Sequence, residues 1–116
     1  MIRRKYGNKI TEVNGIKFDS LKESKRYLDL KLLERARKIT MLQTQSRFTL
    51  QDSFVDRDGI VHKRITYVAD FSYMDESGQI VVEDVKSIAT AKDKVYVIKK
   101  KLFLKNYPNV KFLELI

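Results

Sequence analysis

Short alternating runs of apolar and polar residues, separated by turn residues, bracket two stretches with helical spacing. Ile10-Thr11-Glu12-Val13-Asn14-Gly15-Ile16-Lys17-Phe18 alternates around Asn-Gly, the dipeptide that best tolerates the two positive φ angles of a type I′ turn, so a small hairpin is predicted. Asp19-Ser20 then opens a helix to about Lys38, with Ser20 and Glu23 spaced as a Ser-x-x-Glu capping box. Leu21, Leu28, Leu32 and Ile39 fall along one side of it and Tyr27, Leu30 and Leu33 along another. Two apolar rows predict a helix that is sandwiched rather than lying on the surface.

Gln45 to Gln51 alternates with period two and predicts a strand. Asp56-Arg57-Asp58-Gly59 is a turn, and Ile60 to Tyr73 follows as one long strand. Strict alternation places Tyr67, Ala69, Phe71 and Tyr73 on one face, with Thr66, Val68, Asp70 and Ser72 on the other. The short turn Asp75-Glu76-Ser77-Gly78 makes the next strand, Gln79 to Lys86, antiparallel to it. Ser87 to Lys92 is a loop, after which Thr90 caps a helix from about Ala91 to Asn106 with Val95, Ile98 and Leu102 facing inward. Pro108 stops that helix and Val110 to Ile116 ends the chain as a strand. A strand reached through a crossover helix lies parallel to its predecessor, with a right-handed connection. The expected fold is therefore α/β: a hairpin, then a small mixed sheet with a helix on each face.

Length and composition narrow this further. The 116 residues suit one domain over 1–116, with residues 1–8 as a basic arm. There is no cysteine, which excludes disulfides and thiolate metal sites and makes a cytoplasmic setting the expectation. No apolar run reaches the roughly 20 residues of a membrane span, and the charged start has no apolar segment behind it, so neither membrane nor signal peptide is expected. The net charge is +9, a field that attracts polyanions, nucleic acid first among them. Lys25 and Arg26 on the first helix, and Lys92, Lys94, Lys99 and Lys100 on and before the second, are the candidate phosphate contacts.

The candidate chemistry lies in Asp70 and in Asp84-Val85-Lys86. Alternation sends Asp84 and Lys86 to one face, and the 75–78 turn brings Asp84 to the level of Asp70 on the neighbouring strand. Two aspartates about 5 Å apart repel unless a cation lies between them, and Mg²⁺ or Mn²⁺ is content with a few hard oxygens plus water and phosphate. Against this stand plainer roles: Asp70 as a hydrogen-bonded buried acid, Lys86 as a salt-bridge partner of Asp84, Glu23 as a capping residue, and Glu83 as a solvated or paired surface residue on the opposite face. His62 is the only histidine, which disfavours histidine-based sites, and glycine-rich phosphate loops and Gly-x-Ser-x-Gly are absent.

Glu23 in the first helix, then Asp70, then Asp84-Val85-Lys86, taken in that order, resemble the PD-(D/E)XK nuclease superfamily, which includes restriction endonucleases and archaeal-type Holliday-junction resolvases. Lys5-Tyr6-Gly7-Asn8-Lys9, Phe18-Asp19-Ser20-x-x-Glu23, Tyr67-x-Ala69-Asp70-Phe71 and Val82-Glu83-Asp84-Val85-Lys86 more closely resemble a family of small phage and prophage proteins placed in that superfamily. Val68-Ala69 stands where a proline precedes the aspartate in many members, and Ser87 stands where glycine is common; neither removes a catalytic group. The resemblance implies a restriction-endonuclease-like αβββαβ core and Mg²⁺- or Mn²⁺-dependent hydrolysis of DNA in the host cytoplasm. It further implies Asp70, Asp84 and the Val85 carbonyl as metal ligands, Glu23 as a further acidic ligand or water positioner, and Lys86 as the electrostatic catalyst. Branched DNA would suit a homodimer presenting two sites, whereas nicking or trimming would suit a monomer. A non-catalytic nucleic-acid-binding module and a phage interaction protein on the same scaffold are the alternatives.

Overall fold

The computed structural model describes residues 10–116; the basic arm over residues 1–8 and the Lys5–Lys9 segment lie outside them. β1 (Thr11–Val13) and β2 (Ile16–Phe18) form the expected hairpin, with Asn14 and Gly15 at φ 52° and 79° as a type I′ turn requires. α1 (Leu21–Arg35) starts on Ser20, whose Oγ accepts the Glu23 N–H at 3.1 Å, and ends before Lys38 because Arg37 turns into the left-handed region at φ 61°. Its buried stripe is Glu23, Ser24, Tyr27 and Leu30, while Leu21, Leu28 and Leu32 are exposed. The helix is thus covered on one side only, which corrects the sandwiched reading. Counting leucines failed because two polar residues occupy the inward stripe at helical spacing.

β3 (Ile39–Gln51) is longer than expected and leads into a second small hairpin, β4 (Phe54–Val55) and β5 (Val61–His62), followed by β6 (Ile65–Asp75). The run from Ile60 is therefore broken at Lys63–Arg64 rather than continuous. The Asp75 carboxylate accepts the N–H groups of Ser77 and Gln79, closing the tight turn into β7 (Ile80–Val85). Ser87 and Thr90 cap each other to form one helical turn, α2 (Ile88–Ala91), where a loop was expected. Asp93, not Thr90, caps α3 (Lys94–Asn106). β8 (Lys111–Leu115) completes a four-stranded sheet in the order β3-β6-β7-β8, antiparallel except for the parallel β7–β8 pair.

Adjacent residues of β7 define the two faces. Val81 packs with Phe18, Tyr27, Leu30, Phe71 and Tyr73 beneath α1, while Val82 packs with Tyr67, Ala69, Tyr96 and Phe103 beneath α3. The inward residues of α3 are Tyr96 and Phe103; Val95 and Ile98 are exposed. Aromatic side chains bury the larger area, and the phase set by the Asp93 cap turns them to the sheet.

One departure from strand alternation matters for the site. Tyr67 and Ala69 belong to the α3 face, but Phe71 and Tyr73 belong to the α1 face, so β6 changes face at Asp70 instead of keeping all four on one side. β3 does the same: Leu42 packs on the α1 face, Phe48 and Leu50 on the α3 face. The pairs Thr44–Phe71 and Ser46–Ala69 put Gln45 opposite Asp70, and Gln45 has φ 53°. One of the two left-handed residues of β3, Gln45 rather than Met41, thereby coincides with the reversal in both strands at one rung.

Candidate active site

Asp70, at that reversal, lies between the two faces. On one side is Glu23, buried on α1 and accepting Gln45 Nε2 at 3.3 Å; on the other is Asp84, which the Phe71–Glu83 register places opposite Asp70. Asp70 Oδ2 accepts the Val85 N–H at 2.7 Å, which fixes the carboxylate to β7. A cleft of about 290 Å³ opens above them, lined by Glu23, Asp70, Val85 and Lys86, with Lys22 and Thr90 at its sides. Asp84 forms no part of the lining; it is 1% exposed and lies beneath.

The Tyr67 hydroxyl donates to Asp84 Oδ2. Oδ1 is buried and, among the described residues, receives no hydrogen bond; Lys86 Nζ stands 3.7 Å from it. Burial is the main cause that pushes Asp84 up to about 7, with the Asp70 charge adding to it against the pull of Lys86. Burial and the Glu23 charge push Asp70 up to about 6, opposed by hydrogen bonds from Asp84 and the Val85 amide. Glu23 is also raised, chiefly by burial, while hydrogen bonds from Asp70 and the Asp19 amide pull it down. Its carboxylate therefore faces Gln45 and Asp70 while its amide is capped by Ser20. All three acids are thus raised in the same direction, chiefly by burial and also by one another's charge.

Lys86 is seated rather than extended into solvent. Its ammonium lies over the Tyr96 ring, 4.4 Å from the centroid, and its carbonyl accepts Lys22 Nζ at 3.3 Å. The Tyr96 hydroxyl donates to Glu114, which also binds Lys100 Nζ at 2.9 Å. Lys100, read as a DNA contact, is thus engaged inside the protein. So is Arg26, whose Nε and Nη2 donate to the two oxygens of Glu83 at 2.8 and 2.7 Å.

Glu83 is correspondingly not a surface residue. It is 0% exposed, on the face opposite Asp84 as alternation requires, and it accepts the Tyr73 hydroxyl as well as Arg26. Removing the cation would strand a buried carboxylate. Arg26→Ala is therefore expected to destabilise the fold by about 3–5 kcal/mol in urea unfolding, where an exposed contact such as Lys25 would change it by less than about 0.5 kcal/mol. Equal effects of the two substitutions would show that the pair does not hold α1 to the sheet. Lys25, Lys92 and Lys94 remain exposed, and Lys99 is half-buried.

Among the described residues no three His, Cys, Asp or Glu side chains close into a ready cation cage. A smaller set of acids is present: Asp70 lines the cleft and Asp84 is buried beneath it. That matches Mg²⁺ or Mn²⁺, which keeps several waters and binds through one or two carboxylates plus substrate phosphate. The undonated Asp84 Oδ1 is the specific observation in favour, since a buried carboxylate oxygen ordinarily finds a donor. Gln45, Tyr67 and Tyr96 were not legible as site residues. Only Tyr67, three residues before Asp70, carried even a positional hint.

The chain belongs to the DUF1064 family, described as proteins of unknown function, whose model matches residues 3–116. No curated protein and no solved structure matches it. Among the described residues, no helix is long and apolar enough to cross a membrane.

Proposed function

We propose that this chain is a divalent-metal-dependent deoxyribonuclease of the PD-(D/E)XK type. The observation that carries the reading is the buried, undonated Oδ1 of Asp84, with Asp70 across the strand pair and Lys86 Nζ 3.7 Å away. The order α1, β3, β6, β7, α3, β8, with β4–β5 as an insertion, supports a restriction-endonuclease-like αβββαβ core. Asp70, Asp84 and the Val85 carbonyl would hold Mg²⁺ or Mn²⁺. When bound, the cation supplies Lewis-acid stabilisation of phosphate charge and acidifies water.

The protein's own groups have distinct tasks. Lys86 presents an ammonium to the cleft, where it offsets negative charge that grows on the phosphate oxygens. Glu23, steadied by Gln45, offers a carboxylate that orients the attacking water or joins the ligand set. Tyr67 ties down one oxygen of Asp84, and the other, Oδ1, receives no hydrogen bond among the described residues. Lys22, Lys25, Lys92 and Lys94 are exposed on α1 and around α2, where phosphate contacts position a strand without reading its sequence.

The test is to incubate the protein with linear, nicked, flapped and four-way DNA in Mg²⁺, in Mn²⁺ and in chelator. Metal-dependent cleavage of at least one substrate is expected. Salt-sensitive binding without cleavage would instead make the chain a binding module, and failure to bind DNA would point to an interaction protein. Lys86→Ala is expected to lower kcat at least about hundredfold, the scale of losing one charge-stabilising donor, with an unchanged circular dichroism spectrum. Cleavage at the wild-type rate would remove Lys86 from the mechanism.

A further inference from the structure

We infer that Tyr96 is a positioning residue for Lys86, and that Glu114 and Lys100 extend the site by fixing the Tyr96 ring; this rests on the nuclease reading above. Lys86 sits two residues beyond Asp84, at the end of β7, where an unbranched four-carbon stem could point its ammonium in many directions. Two neighbours restrict it. The Asp84 carboxylate lies 3.7 Å away on one side, and the face of the Tyr96 ring lies 4.4 Å away on another. A cation over an aromatic face is attracted to the ring's negative quadrupole, and the attraction grows when water is thinned out. Lys86 is about a quarter exposed, with 23% of its side chain open.

The ring face is the platform, and its far end is steadied. Tyr96 is 8% exposed and its hydroxyl donates to Glu114 on β8. Lys100, one helical turn after Tyr96, binds the same carboxylate at 2.9 Å, and its ammonium lies 5.8 Å from the Tyr96 centroid. Helix α3 and strand β8 thus grip the ring from both ends. This gives the parallel strand β8 a direct link to the catalytic lysine, through Glu114 and Tyr96. Neither residue lines the cleft, and the ammonium of Lys86 over the ring is the link from them to the chemistry.

Ring and hydroxyl can be separated. Tyr96→Leu removes the platform, Tyr96→Phe keeps the ring but drops the Glu114 bond, and Glu114→Gln weakens the grip while sparing both. A two-dimensional NMR spectrum of the lysine side chains reads the seat directly. Protons on the Lys86 ε-carbon, shielded by the ring, are expected upfield of the other lysines in wild type, assigned by their loss in Lys86→Ala. They should stay upfield in Tyr96→Phe and return to the common position in Tyr96→Leu. In saturating Mn²⁺, Tyr96→Leu should lower kcat on the order of tenfold with KM for DNA unchanged, and Tyr96→Phe should recover most of that loss. An unshifted Lys86 signal in wild type overturns the inference, as does a Leu variant with wild-type kcat or a loss shared equally by the Phe variant. If wild type cuts no DNA at all, the nuclease reading fails, and the position of the Lys86 signal still decides whether the seat exists.

Discussion

Asp84→Asn is expected to abolish DNA cleavage, by at least about a thousandfold in kcat, and at the same time to stabilise the metal-free protein at pH 8. The two effects have one cause. Asp84 is 1% exposed and its Oδ1 receives no hydrogen bond among the described residues, so burial and the Asp70 charge outweigh the Tyr67 hydrogen bond and the Lys86 ammonium that favour its ionised form. Burial, assisted by Asp70, raises it to about 7. At pH 8 the native state must still ionise it, a penalty of about 2–4 kcal/mol relative to the unfolded chain. Asparagine fills the same space, can still accept from Tyr67, and carries no charge. Loss of activity with a gain in melting temperature separates a functional acid from a structural one. A variant both inactive and less stable would mean that Asp84 serves the fold instead.

The metal-free wild type should lose stability as pH rises from about 5 to 8 and regain it on adding Mn²⁺. The sign follows from proton counting. Asp70 and Asp84 are raised to about 6 and about 7 from the ordinary aspartate value of 3.8, so across that window the folded state binds more protons than the unfolded one. Stability then falls with pH, and the loss is complete above the folded-state values. A cation that binds only the folded, ionised pair reverses the trend by mass action, and protons compete with it at low pH. Melting curves in chelator should therefore drop by roughly 10 °C from pH 5 to pH 8, and Mn²⁺ should lift the pH 8 value far more than the pH 5 value. The Asp70→Asn, Asp84→Asn double variant should show a nearly flat response to both. A wild type whose melting temperature climbs from pH 5 to 8 in chelator would contradict the electrostatics described here.

The Asn-Gly hairpin, the Ser20 cap, the 75–78 turn and the crossover to a parallel last strand were legible because each depends on residues near one another in sequence. From the turn alone followed the pairing of Asp70 with Asp84, and from alternation the shared side of Asp84 and Lys86. Less visible was anything set by contact between distant elements. The face reversal at Asp70 coincides with Gln45 in a left-handed conformation, which no propensity assigns to glutamine in a strand. It matters because it lets one aspartate lie between Glu23 on the α1 side and Asp84 on the α3 side. Glu83 read as a surface acid because alternation reports only which face a residue takes. That its face is sealed by Arg26 and Tyr73 is a tertiary fact. Val95 and Ile98 misled for a related reason: the face of α3 that meets the sheet is chosen by Tyr96 and Phe103, and their burial emerges only once the helix has docked.

Direct titration of Mn²⁺ into the protein at pH 8, followed by calorimetry or by the electron paramagnetic resonance of free ion, tests the central claim. One saturable site is predicted in wild type and in Lys86→Ala, lost in both Asp70→Asn and Asp84→Asn. Wild-type protein that binds no Mn²⁺, or binds it equally well after either aspartate is replaced, would contradict the account.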